Sequence, residues 1–412
     1  MRDDDEHQPA GAGHHGGTHP GGTHPGGTRA GEGTGAPDFA DTAATALTYA
    51  TAGVDTEAGD KAVEFMKDAV RATHTGAVVG DIGGFAGMFD ASALRHYRRP
   101  LLTTSTDGVG TKVAIAQAMD VHDTIGFDLV GMVVDDIVVV GATPLFMTDY
   151  IACGTVVPER IADIVRGIAE ACQVAGTALL GGETAEHPGL LEADAYDVAG
   201  AATGVVEADD VLGPERVRAG DVVIAMGSSG LHANGYSLVR AVIARAGWEL
   251  DRQVPEFGRT LGDELLEPTR VYAADVLALA GYEAAQVRAL SHITGGGLAA
   301  NLARVLPHGL VATVDRASWQ VPAVFDVVRT LGSVPWADLE ATLNLGVGMV
   351  AVVGADGVAA ALDLLAQRGL PAWVLGEVRD AGAIDEATAP VVRGTKGVHA
   401  GGVQLYGEYR TA

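Results

Sequence analysis

Cysteine is almost absent from the sequence, which has only Cys153 and Cys172 among 412 residues. They form no CxxC pair, so the sequence implies neither a disulfide framework nor a zinc knuckle. The sequence also lacks an apolar run of about 18 residues, the minimum for a membrane-spanning helix. Its N-terminus has no apolar signal-peptide core. We therefore expect no membrane association and a reducing, cytoplasmic setting.

Positive charge is scarce as well. The chain has 27 lysines and arginines against 53 aspartates and glutamates, which gives a net charge of −26. This balance argues against the phosphate backbone of a nucleic acid as a partner. A nucleotide ligand is still compatible with it, because local basic groups and Mg²⁺ outweigh the overall field at a single site.

Features of a folded segment are missing from the first part of the chain. Residues 1–40 contain GGTHP twice in tandem, five of the 13 histidines and 11 of the 57 glycines. Such a composition buries too little apolar surface to offset its ordering entropy. Histidine-rich tracts can bind metal, but an incidental, disordered tail is the better interpretation.

Composition and length predict how the rest of the chain is divided. With 48% hydrophobic residues, 412 residues are enough for two domains with a sizeable core. We expect a tail over residues 1–46, a first domain over 47–210, a second over 211–380 and a loose C-terminal tail over 381–412.

The most informative segment runs from Thr103 to Pro144. A predicted strand, LLTTST, leads into DGVGTK, which contains Asp107, Gly108, Thr111 and Lys112. Glycines let backbone N–H groups approach an anion, lysine supplies a charge for phosphate, and aspartate binds Mg²⁺ through oxygen. Taken alone, the motif is better interpreted as a glycine-rich turn with solvated charges, since short glycine motifs match by chance.

The same segment contains Asp135 and Asp136 inside the apolar run GMVVDDIVVVGATP. A buried carboxylate costs several kcal/mol unless it is paired or bound to metal. Neighbouring residues point to opposite faces of a strand and about 100° apart on a helix. In either case we expect only one of the two to face Asp107. A helix start capped by aspartate is the alternative, but the two motifs together favour an Mg²⁺–phosphate site.

Two glycine-rich segments leave their role open. Residues 78–89 (VVGDIGGFAGMF) follow a predicted helix that is capped by Asp60 and contains Lys67. They suit either a loop over phosphates or a plain hairpin. Glu183 follows a short predicted strand and two glycines, where it either reaches a central site or is exposed on a turn.

The second half alternates predicted strands and helices, which favours an α/β fold. Two of its strands lead into small polar loops that precede helices, GSSGLHANG and HITGGG. A strand, a polar loop and a helix N-terminus together form an anion site. Lone histidines are usually structural, but the positions of His232 and His292 beside these loops favour a functional role.

Eleven motifs resemble the phosphoribosylformylglycinamidine cyclo-ligase (aminoimidazole ribonucleotide synthetase) family in order and spacing, over roughly residues 47–380. They include AGVDTEAG, IGGFAGMF, STDGVGTK, HDTIGFDLVGM, GGETAEHPG, GSSGLHANGYSLVR and HITGGG. Two departures are Asp135, where the family is expected to have asparagine, and Ala86 in the first glycine loop.

The resemblance implies an α/β (α+β) fold of two domains whose N-terminal sheet pairs across a two-fold axis in a homodimer. It also implies ATP and Mg²⁺, and ring closure of formylglycinamidine ribonucleotide with release of ADP and phosphate. Selenophosphate synthetase would need a reactive cysteine in the first glycine loop, which has none. Thiamine-phosphate kinase would lack both second-half loops in this form. A non-catalytic nucleotide-binding regulator would be expected to lack Asp107, Lys112 or Asp136.

The motifs and the resemblance together assign residues to each ligand. We expect ATP in the first domain, which has the carboxylates, and the ribonucleotide against the second, whose loops have no acidic residue. The expected ATP-binding residues are Lys67, Gly83, Gly84, Phe85, Asp107, Gly108, Thr111, Lys112 and Asp136. The expected substrate-binding residues are Ser228, Ser229, His232, Asn234, Thr294, Gly295 and Gly296. Asp107, Asp136 and Glu183 are the expected Mg²⁺ ligands.

The expected catalytic residues are Asp107, Lys112, His232 and His292. Either histidine is suited to moving a proton as a neutral imidazole near pH 7. The sequence favours His232, whose loop is expected to be the more open of the two.

Overall fold

The computed structural model describes residues 56–394 and 400–411. The predicted tail over residues 1–46 lies outside these ranges. The elements of the first half are α1 (Thr56–Ala72), β1 (Val78–Val79), β2 (Met88–Phe89), β3 (Pro100–Gly108), α2 (Val113–Met119), α3 (Ile125–Val138), β4 (Thr143–Cys153), α4 (Pro158–Ala175), β5 (Ala178–Glu186) and β6 (Tyr196–Glu207).

The second half continues the mixture of helices and strands. Its elements are β7 (Val222–Gly227), α5 (Tyr236–Ala246), β8 (Gln253–Val254), β9 (Arg259–Thr260), α6 (Leu261–Leu265), α7 (Ala273–Ala280), β10 (Val287–His292), α8 (Gly297–Ala303), β11 (Leu310–Asp315), α9 (Ala323–Gly332), α10 (Trp336–Glu340), β12 (Val347–Val353), α11 (Val358–Gln367), β13 (Ala372–Asp380), β14 (Val391–Arg393) and β15 (Gly402–Tyr406). The expected mixed α/β fold is confirmed.

Helix ends follow local sequence signals only in part. α4 starts with Pro158 in its first turn and ends at Gly176, whose φ of 72° is left-handed. Proline suits the first turn and glycine the residue after a helix, so both ends agree with the prediction. α1 begins at Thr56, so the prediction that Asp60 caps it is wrong.

A four-stranded sheet in the order β3-β6-β4-β5 organises the first half. β6 is antiparallel to both β3 and β4, and β4 is parallel to β5. One face is buried under α3 and α4, with Met147, Ile151 and Val198 in the core. No described element covers the opposite face, which exposes Leu102 at 63% and Tyr150 at 43%. This sheet therefore has one buried and one uncovered side.

The second half is built on a seven-stranded sheet in the order β10-β12-β7-β13-β11-β15-β14. The strands β12 and β13 both pair antiparallel with β7, which lies between them. The predicted strand–helix–strand unit, β12-α11-β13, is therefore present, but β7 lies between its two strands in the sheet. The predicted domain boundary at residue 210 falls between the two sheets.

The prediction of a loose tail after residue 380 is wrong. Strands β14 and β15 extend the larger sheet, and β15 pairs parallel with β11. Beyond them, the Tyr409 ring packs between Trp319 and Trp336, at centroid distances of 5.3 and 4.6 Å. Aromatic contacts of this kind add to the stabilisation from buried area. The described part of the C-terminal segment is thus integral to the second half.

All of the described residues belong to one compact unit. Within it, a single hydrophobic cluster contains Leu129 and Ile137 from the first half and Ile224 and Met349 from the second. The two sheets therefore share a core, and loops from both halves meet beside it. None of the described helices is both long and apolar enough to cross a membrane.

Candidate active site

The first carboxylate of the site lies where β3 ends. Asp107 precedes the last residue of that strand, and its Oδ1 accepts a hydrogen bond from the Gly108 N–H at 2.7 Å. The surrounding protein displaces enough water from Asp107 to raise its pKa. The charge of Asp136 raises it further, whereas the Gly108 N–H and the charge of His292 act in the opposite direction. Asp107 is therefore within electrostatic reach of a second carboxylate and a histidine.

Asp136 and His292 form a hydrogen-bonded pair beside Asp107. Asp136 lies near the end of α3 and His292 ends β10, and 2.9 Å separates Oδ1 from Nδ1. Burial alone would lower the pKa of His292, but the hydrogen bond to Asp136 and the charges of Asp135, Asp136 and Asp107 together raise it. Among the described residues, nothing hydrogen-bonds the buried Nε2. An oriented imidazole with one free nitrogen is suited to proton transfer.

The neighbouring Asp135 points away from this pair. Both of its carboxyl oxygens accept the backbone N–H of Tyr272 at 3.0 Å, and burial raises its pKa to about 7. The structure agrees with the expectation that only one of the two aspartates faces Asp107. The run that contains them is a helix, and both lie near its end, so the alternative of a helix start is excluded.

Lys112 is buried and does not face a cavity. Its Nζ donates hydrogen bonds to Asp128 Oδ1 at 2.7 Å, to the Glu267 carbonyl at 2.7 Å and to the His232 carbonyl at 3.1 Å. These contacts occupy all three N–H donors of an ammonium group. This position disagrees with the predicted phosphate contact and catalytic role. Lys112 instead joins three segments that are distant in sequence.

His232 is also buried, so the prediction that its loop is the more open one is wrong. Its backbone φ is 61°, and its Nε2 accepts the Ser229 N–H at 3.3 Å. Burial, with the positive charges of His292, Lys112 and Arg270, lowers the pKa of His232 well below its usual value. A buried, neutral imidazole of this kind supports the loop rather than a proton transfer at the cleft.

The two serines of the same loop already have partners within the chain. Ser228 Oγ donates to the Gly230 carbonyl at 2.9 Å. Ser229 Oγ donates to the Pro268 carbonyl at 2.6 Å and accepts the Arg270 N–H at 3.1 Å. These contacts disagree with the predicted phosphate contacts of both hydroxyls, because their donors are used to hold the loop in place.

Asn234 and the loop of Thr294, Gly295 and Gly296 lie together, as expected. A Cβ built on Gly295 would be 3.4 Å from Asn234 Oδ1, which is ordinary van der Waals contact. The Asn301 side chain fixes this loop by donating to the carbonyls of Thr294 and Gly295 at 3.2 and 3.4 Å. The loop thus presents a fixed backbone next to Asn234.

The two halves of the chain meet at a cavity of about 310 Å³. It is lined by Asp107, Gly108 and Thr111 from the first half and by Asn234 and Ser237 from the second. Thr111 Oγ1 and Ser237 Oγ are 3.3 Å apart across it. The structure therefore brings predicted ATP-binding residues next to a predicted substrate-binding residue.

The remaining predicted ATP-binding residues lie elsewhere. The segment between β1 and β2 is the tip of a hairpin, which carries Gly83, Gly84 and the exposed Phe85. Gly83 and Gly84 line a second cavity of about 330 Å³ under α1. Lys67 pairs with Glu64 at 2.5 Å. These residues do not line the cavity that contains Asp107.

Glu183 cannot share one metal ion with Asp107 in the same chain. Strand pairing puts Asp107 in one row with Gly200, Asp149 and Gly182, so Glu183 lies one residue beyond this row on the far edge of the sheet. Three strand spacings separate the two edges by about 14 Å, and successive residues of a strand face opposite sides. Among the described residues, no group of three or more metal-ligating side chains is found. The predicted three-carboxylate site is therefore wrong for a single chain.

Two family profiles match this chain. The one described as "AIR synthase related protein, N-terminal domain" covers residues 89–206, and its C-terminal counterpart covers residues 218–386. A protein of Anaeromyxobacter dehalogenans named phosphoribosylformylglycinamidine cyclo-ligase is 50% identical over 348 residues, which is 84% of this chain and 99% of that protein. The chain belongs to the phosphoribosylformylglycinamidine cyclo-ligase family.

Another cyclo-ligase relative, from Desulfitobacterium hafniense, is 48% identical over 331 residues, or 80% of this chain and 96% of that protein. Among solved structures, thiamine-monophosphate kinase from Stenotrophomonas maltophilia aligns with a TM-score of 0.59 at 19% identity, over 84% of this chain and 96% of that one. At that identity the likeness shows a shared fold only. The cyclo-ligase family is thus favoured over the other enzymes that share its fold.

The sequence did not lead us to predict a role for one acidic residue of this cyclo-ligase family member, Asp149. Asp149 lies in the middle of β4, is 9% exposed and lines the cavity under α1. Burial raises its pKa to about 7. A single aspartate inside the apolar strand PLFMTDYIA was the available signal, of the same kind that identified Asp136.

Proposed function

We propose that this chain closes the imidazole ring of aminoimidazole ribonucleotide from formylglycinamidine ribonucleotide, with ATP converted to ADP and phosphate. One structural observation carries the proposal. The Asp107, Asp136 and His292 cluster lies where loops of both halves meet, beside a cavity lined from both sides. Membership of the cyclo-ligase family supports the same reaction.

The chemistry explains why no nucleophilic side chain is needed. An amide oxygen is a poor leaving group, and transfer of the γ-phosphoryl group of ATP to that oxygen gives an iminophosphate. A nitrogen of the substrate then attacks the activated carbon, and phosphate leaves with the former amide oxygen. Catalysis of phosphoryl transfer is mostly positioning and neutralisation of charge, and the cluster at Asp107 suits that task.

We assign the proton transfer to His292. Asp136 orients its ring through Nδ1, and the buried Nε2 has no hydrogen-bond partner among the described residues. A base held by a carboxylate, with its second nitrogen free, is the usual arrangement of a general acid–base group. His232 lacks such a carboxylate and is the weaker candidate.

Asp107 and Asp136 fit the ligand preference of Mg²⁺. This ion is commonly bound through one or two carboxylates together with phosphate oxygens of the substrate. The charge of Asp136 raises the pKa of Asp107, which indicates negative charge that a cation would balance. When bound, Mg²⁺ would neutralise charge on the ATP phosphates.

The ribonucleotide phosphate is proposed to contact Asn234 and the loop of Thr294, Gly295 and Gly296. The Asn301 side chain holds this loop in place by donating hydrogen bonds to the carbonyls of Thr294 and Gly295. Neither this loop nor Asn234 contributes a negative charge. Thr111 and Gly108, on the opposite wall of the cavity, remain proposed contacts of ATP. We also propose a cytoplasmic location, because purine precursors are made from soluble substrates.

Turnover is the first experiment. The purified chain with formylglycinamidine ribonucleotide, ATP and Mg²⁺ should form ADP and aminoimidazole ribonucleotide in a ratio of one to one. Omission of the ribonucleotide should abolish ADP formation. ATP hydrolysis that continues without the ribonucleotide, and without imidazole product, would refute the proposed reaction.

We further propose a homodimer formed through the open face of the four-stranded sheet. The exposed Leu102 and Tyr150 make this sheet face suitable for association, and two-fold dimers are the commonest oligomers. Sedimentation at micromolar concentration should give the dimer mass. Leu102→Glu should shift the population to monomer, because it would bury two charges in the interface.

Val174→Glu is the matched control for the dimer. Val174 is likewise exposed, but it lies on α4, which covers the opposite face of the sheet. This variant should remain a dimer. A wild-type chain that sediments as a monomer at micromolar concentration would refute the proposed assembly.

A further inference from the structure

The side chain of Asn344 connects the segment before β12 to the loop between β7 and α5. The residue is 4% exposed. Its Nδ2 donates hydrogen bonds to the carbonyls of Gly230 at 3.0 Å and Leu231 at 3.2 Å. Its Oδ1 accepts the Gly346 N–H at 2.8 Å and lies 3.2 Å from Ser228 Oγ. A carboxamide has two donors and an oxygen with two lone pairs, so all of its hydrogen-bonding capacity is used within the protein.

The backbone next to Asn344 is held in an unfavourable conformation. Leu345 has a φ of 51°, which is left-handed and rare for a residue with a bulky side chain. The residue is buried, and its carbonyl accepts the Trp319 indole N–H at 2.9 Å. Such a conformation persists only where the surrounding contacts impose it, and it occurs often at functional sites. Contacts on both sides of Leu345 therefore fix the course of this segment.

The same segment also packs against the starts of two helices. A Cβ built on Gly297, the first residue of α8, would overlap the Glu340 carbonyl oxygen. A Cβ built on Gly235, just before α5, would overlap the Leu343 side chain. The loops that precede α5 and α8 carry Asn234 and residues 294–296. Residues 340–346 thus contact both parts of the proposed ribonucleotide site.

We propose that Asn344 is a positioning residue for the ribonucleotide. It fixes the loop between β7 and α5 against the loop before α8, so that Asn234 and residues 294–296 keep the spacing that the ligand requires. Asn344 acts through these loops, because its own polar atoms are buried and already paired. This inference rests on the proposed use of both loops by the ribonucleotide, and it adds a residue that holds them in a binding-competent arrangement.

Ligand binding to the full-length Asn344→Asp variant tests the proposal. The substitution keeps the size of the side chain but turns a carboxylate oxygen toward the Gly230 and Leu231 carbonyls, where acceptors repel each other. Calorimetry with formylglycinamidine ribonucleotide alone should show binding weakened about tenfold or more, because displaced contact groups lose binding energy. Calorimetry with ADP should give an affinity within about threefold of wild type, since the proposed ATP contacts lie in the first half of the chain.

Gln404→Glu is the matched control. Gln404 is a second buried carboxamide of the same half, and its Nε2 donates to the carbonyls of Asp385 and Ala389 at 3.0 and 2.7 Å. This variant makes the same chemical change away from the two loops. It should melt at a lower temperature than wild type but bind both ligands with unchanged affinity.

Asn344→Ser provides a milder variant in case Asn344→Asp does not fold. Its hydroxyl can still donate to one of the two loop carbonyls. Loss of the other hydrogen bond should weaken ribonucleotide binding by about fivefold and leave ADP binding unchanged.

The outcomes separate this inference from the proposed function. Ribonucleotide binding that stays at the wild-type level in both Asn344 variants overturns the inference and leaves the proposed reaction intact. Equal weakening of ribonucleotide and ADP binding overturns it as well, because it shows a general loss of structure. A wild-type chain that binds the ribonucleotide without converting it refutes the proposed reaction alone. A wild-type chain that does not bind the ribonucleotide contradicts both.

Discussion

Asp136→Asn should lower kcat by about 10²- to 10⁴-fold, the range that a positioned acid–base group contributes. The neutral amide replaces the charged partner in the hydrogen bond to His292, which is the largest of the contributions that raise the pKa of His292, and takes away one of the two carboxylates proposed for Mg²⁺. The side chain of Asp136 is 44% exposed, so the fold should be unaffected. Steady-state turnover at saturating substrates and a melting curve measure the two effects separately.

Asp135→Asn is the control for this prediction, because it makes the same chemical change one residue away. Its Oδ1 can still accept the Tyr272 N–H, and asparagine is the residue expected at this position in the family. We expect turnover within about threefold of wild type. An Asp136→Asn variant that is as active as Asp135→Asn would show that Asp136 has no part in the reaction.

Lys112→Met should destabilise the chain by about 3–5 kcal/mol, the usual cost of leaving one partner of a buried ion pair alone. Asp128 would then be buried with only Thr269 as a hydrogen-bond donor among the described residues. The Glu267 and His232 carbonyls would also lose their donor. Urea unfolding should show this loss as a lower midpoint. Adding Asp128→Asn should restore part of the stability, because it removes the unpaired charge.

Lys67→Met gives the comparison for a partly exposed lysine. Its pairing with Glu64 lies on the surface of α1, where such pairs contribute about 0–1 kcal/mol. We expect almost no change in its unfolding midpoint. If Lys112→Met instead kept full stability and lost only ATP affinity, Lys112 would be a phosphate ligand, as the sequence suggested.

Local signals predicted the elements that carry the site. The strand before Asp107, the helix between Pro158 and Gly176, and the polar loops after β7 and β10 all follow from hydrophobic period, proline, glycine and turn residues. These signals act within a few residues of each other, so they can be read without knowledge of the tertiary structure. The pairing of Asp136 with His292 could be recognised only from the tertiary structure.

Burial explains where the sequence interpretation failed. Lys112 and His232 lie in motifs that suit phosphate or proton chemistry. Lys112 is buried by its contacts with Asp128 and Glu267, and His232 is buried by the packing of its own loop. The hydrogen-bond partners of Lys112 are at least 16 residues away along the chain, so spacing gave no warning. Packing of Tyr409 against two tryptophans likewise turned an unremarkable C-terminal sequence into ordered structure.

Strand order explains the other failure. Glu183 and Asp107 both follow strand-like runs beside glycines, and a sequence cannot say that two strands separate them. The same strand order brings Asp149 between Gly200 and Gly182, a placement that no local motif predicts. Register across a sheet is a tertiary property, because a shift of one residue exchanges the two faces.

In the proposed reaction, ATP activates the amide oxygen of formylglycinamidine ribonucleotide as a leaving group. Substrate labelled with ¹⁸O at that oxygen tests it most directly, with mass spectrometry of the phosphate after turnover. If the amide oxygen is phosphorylated, each phosphate released should contain one ¹⁸O atom. Unlabelled phosphate, with the ¹⁸O recovered in water, would show that the oxygen leaves without being phosphorylated and would refute this mechanism.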